Sequence, residues 1–187
     1  MSVQQHLVTA EAFAEMPDPP DKRIDLVEGQ VVEKPLLGAK GATAHAKLLS
    51  ALAAFVEQHN CGIVIAGAGH ILRRDPDTVR HVGISFIARE HVPAGEPAEW
   101  FREGAPTLAV EAVSFYGTAN DLHLRVGDYL RAGTQLVWVL WPDTRSVSIH
   151  RPDGTSSEIS VHAQLDGGDI LPGFIVTVGD LFATDRR

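Results

Sequence analysis

Hydrophobic positions along this chain follow two periods, and the changes between them mark its elements. Ile24, Leu26 and Val27, then Val31 and Val32, flank a Glu28-Gly29 turn, which predicts two paired strands. Over residues 43 to 59 the period becomes helical: Leu48, Leu49, Leu52, Phe55 and Val56 share one face, and His45 lies on the same side. Short strands are predicted at 62 to 66 and 70 to 72, and a further one carries Val79, Val82, Ile84, Phe86 and Ile87. Leu108-Ala109-Val110 reads as a buried strand that Glu111 interrupts before Ala112-Val113-Ser114 resume it. Thr118 followed by Asp121 is a capping-box spacing and opens a helix that ends near Gly133. Residues 135 to 141 are strand-like. Turns at Pro142-Asp143-Thr144 and Asp153-Gly154 then give a meander through 147 to 150 and 158 to 161. A last strand at 170 to 176 and a closing helical turn at 178 to 182 complete the pattern. At the other end, Thr9 caps a short helix over 10 to 16, and Pro17, Pro19 and Pro20 stop it. The predicted class is α+β: a mixed β-sheet flanked by helices, one strand–helix–strand crossover, and a C-terminal β-meander. It is expected as one domain over 1–187, with 1–20 as N-terminal helix and Pro-rich lead-in.

Composition narrows the function classes. A chain of 187 residues with 44% hydrophobic and 21% charged residues can bury a sizeable core. No apolar run reaches about 18 residues, and the first residues lack a basic-then-apolar secretory pattern, so no membrane is expected. The lone Cys61 fits a reducing cytoplasm. A net charge of -8 argues against a non-specific nucleic-acid coat while leaving room for a local basic groove. The nine histidines show no paired metal spacing.

The chemistry concentrates in one place. A charge in a buried strand costs several kcal/mol unless a metal, a cation or good hydrogen bonds compensate it. Glu111 at such a strand's end, facing Asp121 and Arg125 on the next helix, predicts a compact polar site.

The order of Asp25-Leu26-Val27-Glu28-Gly29, His45, Val82-Gly83, Pro106 to Ser114, Tyr129 with Gly133, Trp138 to Pro142 and Leu171-Pro172-Gly173-Phe174 resembles the Uma-type family of restriction endonucleases, in the PD-(D/E)XK nuclease superfamily. The resemblance implies a restriction-endonuclease-like fold and divalent-metal hydrolysis of DNA phosphodiesters. It also implies Mg2+ or Mn2+ on carboxylates, with a lysine aiding the attacking water. Glu28, Glu111 and Asp121 fall at acidic positions of the family and become the candidate metal ligands. Glu111, Arg125 and Glu28 become the candidate catalytic residues, with His45, Ser114 and Tyr129 around them. A homodimer would serve two cuts on a duplex.

Two positions depart from the pattern. Gly83 stands where the family has a ligating Asp, and Arg125 stands where it has the lysine; a guanidinium stays protonated and cannot act as a base. Phe115 and Trp141 replace a Pro and an Asp at the rim. The bland readings compete: Glu111 paired with Arg125 without a metal, Asp121 as a cap, Glu28 as a turn residue, and His45 as a packed helix-face histidine. Asp75 and Asp77 are candidates to reach a metal in place of Gly83, and solvated loop charges are their ordinary reading. Arg73, Arg74, Arg80 and Arg89 read as surface charge or a phosphate-facing rim. Trp138 and Trp141 read as core or dimer-interface residues. Two functions follow: a metal-dependent endonuclease, or a catalytically inactive nuclease fold that binds DNA or a protein partner.

Overall fold

A computed structural model describes residues 7–92, 94, 101–114 and 117–183. Phe115 and the loop through Pro97 lie partly or wholly outside these. Among the described residues, thirteen strands are arranged in three sheets with four α-helices. Strands β1 (Lys22–Val27) and β2 (Gln30–Pro35) pair as expected around Glu28-Gly29, both at positive φ. With β4 (Gly69–Arg73), β5 (Thr78–His81) and β7 (Phe101–Glu103) they form a five-stranded sheet in the order β2-β1-β5-β4-β7. Helix α1 (Ala10–Ala14), capped by Thr9, covers it: Ala10 and Phe13 pack on Ile24, Leu26, Ile71 and Val79.

The second sheet has six strands in the order β11-β10-β9-β8-β6-β3, with β3 (Gly62–Ala66), β6 (Ile84–Ala88), β8 (Leu108–Ala112), β9 (Leu136–Trp141), β10 (Ser146–His150) and β11 (Ser156–Ile159). The crossover is present: β8 and β9 are parallel, joined through helix α3 (Ala119–Arg131). Alternation sorts their side chains. Leu108, Val110, Leu136, Trp138 and Leu140 join Leu48, Leu52 and Val56 of helix α2 (Ala39–His59) in the main core. Ala109, Val137 and Val139 face the other way, against Val126 and Tyr129 of α3. Glu111 has the parity of Ala109, so strand geometry aims it at α3.

Three differences from the sequence reading have simple causes. Helix α2 begins at Ala39 because Gly38, in an extended conformation, serves as its N-cap. The strand read over Val79 to Ile87 is two strands, because the hairpin of β3-β4 with β5-β6 passes from one sheet to the other at this point. Gly67 N–H donates to Gly83 O (3.0 Å), and Val82 N–H to Ala68 O (3.0 Å), carrying the ladder around the corner. The C-terminal strand β13 (Leu171–Thr177) pairs with an unforeseen β12 (Gln164–Gly167), ahead of α4 (Val178–Phe182). Among the described residues no helix is long and apolar enough to cross a membrane.

Candidate functional site

The polar face of the five-stranded sheet meets α3 and the end of β8, and there the charges gather. Glu111 is 2% exposed. It accepts hydrogen bonds from the Tyr129 hydroxyl (2.5 Å to Oε1), the Lys34 ammonium (3.0 Å to Oε2) and Arg125 Nη1 (3.4 Å to Oε2). Lys34 leaves the end of β2 and also donates to the His81 carbonyl at 2.9 Å. Behind this group, the fully buried Asp25 accepts from the backbone N–H of His81 (2.9 Å) and faces Arg80 Nη1 (3.3 Å) and His81 Nδ1 (3.3 Å). Arg125 Nη2 lies 3.8 Å from the same carboxylate. Arg80 closes the network on Asp128 of α3, with Nη2 at 2.6 Å from Oδ2.

The electrostatics follow from this geometry. Burial alone would raise the Glu111 carboxyl, but the charges of Lys34 and Arg125 and the Tyr129 hydrogen bond outweigh it, so Glu111 is held below the ordinary range. Asp25 behaves alike: burial opposes ionisation, and the His81 hydrogen bonds with Lys34 and Arg125 more than offset it. Burial and the Glu111 charge push the Tyr129 hydroxyl well above its usual value, which keeps it a donor. The carboxylates of Asp25, Glu111 and Asp128 meet the cations of Lys34, Arg80 and Arg125, and the exposed Arg131 adds a contact to Asp128 at 2.6 Å. The cluster carries no surplus negative charge.

The expected residues divide. Glu111, Arg125 and Tyr129 are brought together, and the Glu111–Arg125 pair read from sequence is formed. Ser114 stands beside them on the same chain segment and donates to Leu36 O at 2.9 Å. His45 is half-buried, and burial lowers its pKa against the opposing pull of the Gly83 backbone. Asp121 is exposed and occupied at the helix start, its backbone N–H on Thr118 Oγ1 at 3.1 Å and its carboxylate on the same hydroxyl at 2.6 Å. Glu28 sits in the β1–β2 turn, ion-paired with Arg73 at 2.9 Å and exposed. Asp77 is equally remote in role, accepting from Ala10 N–H (2.7 Å) and pairing with Arg74. Arg80 is corrected: it is 5% exposed and internal rather than surface charge.

Among the described residues, no three His, Cys, Asp or Glu side chains are grouped so as to hold a metal. The donor set beside Glu111 does not fit a divalent ion, because cations already occupy its oxygens. Gly83 reinforces this. A Cβ there would meet the Val110 carbonyl at 2.7 Å and His45 Nε2 at 3.0 Å, so the β5–β6 corner has closed over the place of any longer side chain. The opening lined by Lys34, Ser114, Asp121 and Arg125 is a cavity of about 40 Å3 among the described residues. A larger cleft of about 310 Å3 adjoins it through Ser114, lined by Lys40, Trp141 and Pro142.

Residues 10–179 match the model of the Uma2 family, described as "Putative restriction endonuclease". The chain belongs to the Uma2 family. A crystal structure described as a "putative nuclease belonging to DUF820", from Anabaena variabilis, matches with a TM-score of 0.80. It is 19% identical, with 94% of this chain and 97% of that chain covered, which establishes the shared restriction-endonuclease-like fold. No curated protein matches the chain.

Asp25, Lys34, His81 and Asp128 complete this network and were not singled out as site residues from sequence, while Arg80 was read there as surface charge or a phosphate-facing rim. A signal existed. Asp25 stands between Ile24 and Leu26, and Arg80 follows Val79, in strands paired at Leu26↔Val79, so opposite charges meet on the next rung.

Proposed function

We propose that this Uma2 protein is a nuclease fold without metal-dependent hydrolysis, acting by binding, with DNA or a protein as its partner. One observation carries the reading: the Glu111 carboxylate is held by Lys34, Arg125 and Tyr129, leaving neither oxygen free for a metal. Gly83 and Arg125 support it, since the first cannot ligate and the second cannot take a proton. The runner-up is a Mg2+- or Mn2+-dependent DNA endonuclease using Glu111 with Glu28, Asp121 and Arg125, and family membership favours it. A cytoplasmic homodimer belongs to either reading.

Incubation of supercoiled plasmid with the protein in Mg2+ or Mn2+ separates them, with Glu111→Ala as the control for contaminating nuclease. We expect no cleavage above that control. Cleavage by the wild type that Glu111→Ala abolishes would overturn the proposal. Gel-shift titration with duplex DNA, and crosslinking for the dimer, test the partner statements.

A further inference from the structure

The geometry points to Lys34 as a tethered cation that takes the place of a metal at Glu111, an inference that rests on the non-hydrolytic reading above. The oxygens that could form a cation's shell here are Glu111 Oε1, Glu111 Oε2 and the His81 carbonyl. All three surround Lys34 Nζ, at 3.4, 3.0 and 2.9 Å. A carboxylate and a backbone carbonyl converging on one point are hard oxygen donors, the set that Mg2+ and Mn2+ prefer. An ammonium has three N–H donors and a single charge, so it satisfies the same oxygens by hydrogen bonding.

Placement supports the role. Lys34 belongs to the five-stranded sheet, on its edge strand β2, while Glu111 belongs to the six-stranded sheet. The Lys34 side chain is only 15% exposed, and Glu111 2%. Its ammonium therefore ties the two sheets across their interface without needing a dissociable ion. Arg125 does not fill this role, since it reaches one Glu111 oxygen from the helix side and, among the described residues, makes no hydrogen bond to the His81 carbonyl.

Removing the ammonium while keeping the oxygens should convert the place into a cation site. The test compares thermal melting of wild type, Lys34→Ala, Lys34→Arg and the double variant Lys34→Ala/Glu111→Gln, each with and without Mn2+. The wild type and Lys34→Arg should melt at temperatures indifferent to Mn2+. Lys34→Ala should melt lower, and saturating Mn2+ should raise it by about 3 °C or more, the scale expected when a ligand binds only the folded state. The double variant should lose that rise. If Lys34→Ala does not fold, Lys34→Gln carries the comparison under the same criterion. A folded Lys34→Ala (or Lys34→Gln) protein unmoved by Mn2+ overturns the inference and leaves the non-hydrolytic reading intact. A Glu111-dependent rise in the wild type overturns the inference directly. Plasmid cleavage by the wild type instead overturns the reading it rests on.

Discussion

Two polar joints connect the five-stranded sheet to the six-stranded one, and they are built on opposite principles. At one, His70 of β4 is 1% exposed; Nδ1 lies 3.0 Å from the Gly104 carbonyl and Nε2 2.9 Å from Ser85 Oγ of β6. Burial brings this imidazole down to about 4, so near neutrality it is uncharged, donating from Nδ1 and accepting from the serine. The other joint is the charged network of Asp25, Lys34, Arg80, Glu111, Arg125 and Asp128. The neutral joint is complete with two hydrogen bonds. The charged one is stable only because each carboxylate has its own cation. Burial of polar groups between these sheets is thus an ordinary structural need. What distinguishes a metal centre is uncompensated negative charge, and the Glu111 network has none.

The comparison breaks hardest at Glu111. Glu111→Ala would leave Lys34 and Arg125 facing each other with no buried carboxylate between them, and removing one partner of a buried pair costs about 3–5 kcal/mol. Urea denaturation should show a loss on that scale. A Glu111→Ala variant as stable as wild type would mean that the network is solvated and the Lys34 bridge is weak.

Next in size is the pH response, where the two joints separate by window. The folded His70 pKa is depressed to about 4, below the unfolded value of about 6.5. The unfolded chain therefore takes up the proton first, and stability is full above about pH 6.5 and declines as pH falls toward 4. The shift corresponds to at most about 3 kcal/mol. Asp25 and Glu111 are also depressed, so their contribution is present above the unfolded carboxylate value of about 4 and is lost below it. Stability against pH should fall in two stages, and His70→Asn should shrink the upper stage, to which the half-buried His45 and His150 also contribute, while leaving the lower one. A single fall confined below pH 4 would refute the neutral state assigned to His70.

Gly83→Ala comes third. Its Cβ would be forced to 2.7 Å from the Val110 backbone, and overpacking of a closed corner costs about 1–3 kcal/mol. The same contact means that restoring an aspartate at 83, even with Arg125→Lys, does not rebuild a metal site unless the strand moves. Activity in that double variant would show that the corner yields more easily than its packing indicates.

How much of this was legible beforehand depends on what kind of signal each residue gives. Local periodicity revealed β1, β2, α2, β8, α3 and β9, because each needs only its own neighbours to declare its period. The Thr118–Asp121 cap was readable for the same reason. Asp25 and Arg80 were not, although the alternation around them was read correctly. A polar face on a strand looks solvent-facing in sequence, and only the arrival of α3 and the second sheet turns it into interior. Lys34 was hidden twice over, by the edge position of β2 and by a partner 77 residues away. Glu28 shows the opposite case: the family resemblance made it a candidate ligand alongside Glu111, while its turn pairs it with Arg73.

That last contrast yields the smallest and cleanest test. Glu28, Asp121 and Glu111 are three carboxylates at acidic positions of one family pattern, and the structure gives them three environments. Glu28 makes an exposed ion pair, and such pairs contribute about 0–1 kcal/mol and are screened by salt. Thr118 and Asp121 act at a helix start, where loss of the cap through Thr118→Ala costs about 1 kcal/mol. Glu28→Ala should therefore be nearly silent in urea denaturation and should leave any Mn2+ response of a Lys34 variant unchanged, while Glu111→Gln removes it. If Glu28→Ala instead abolished that response, the turn would have to swing toward the network when the ammonium is gone, and the two-region picture of one charged joint and one exposed turn would have to be redrawn as a single site.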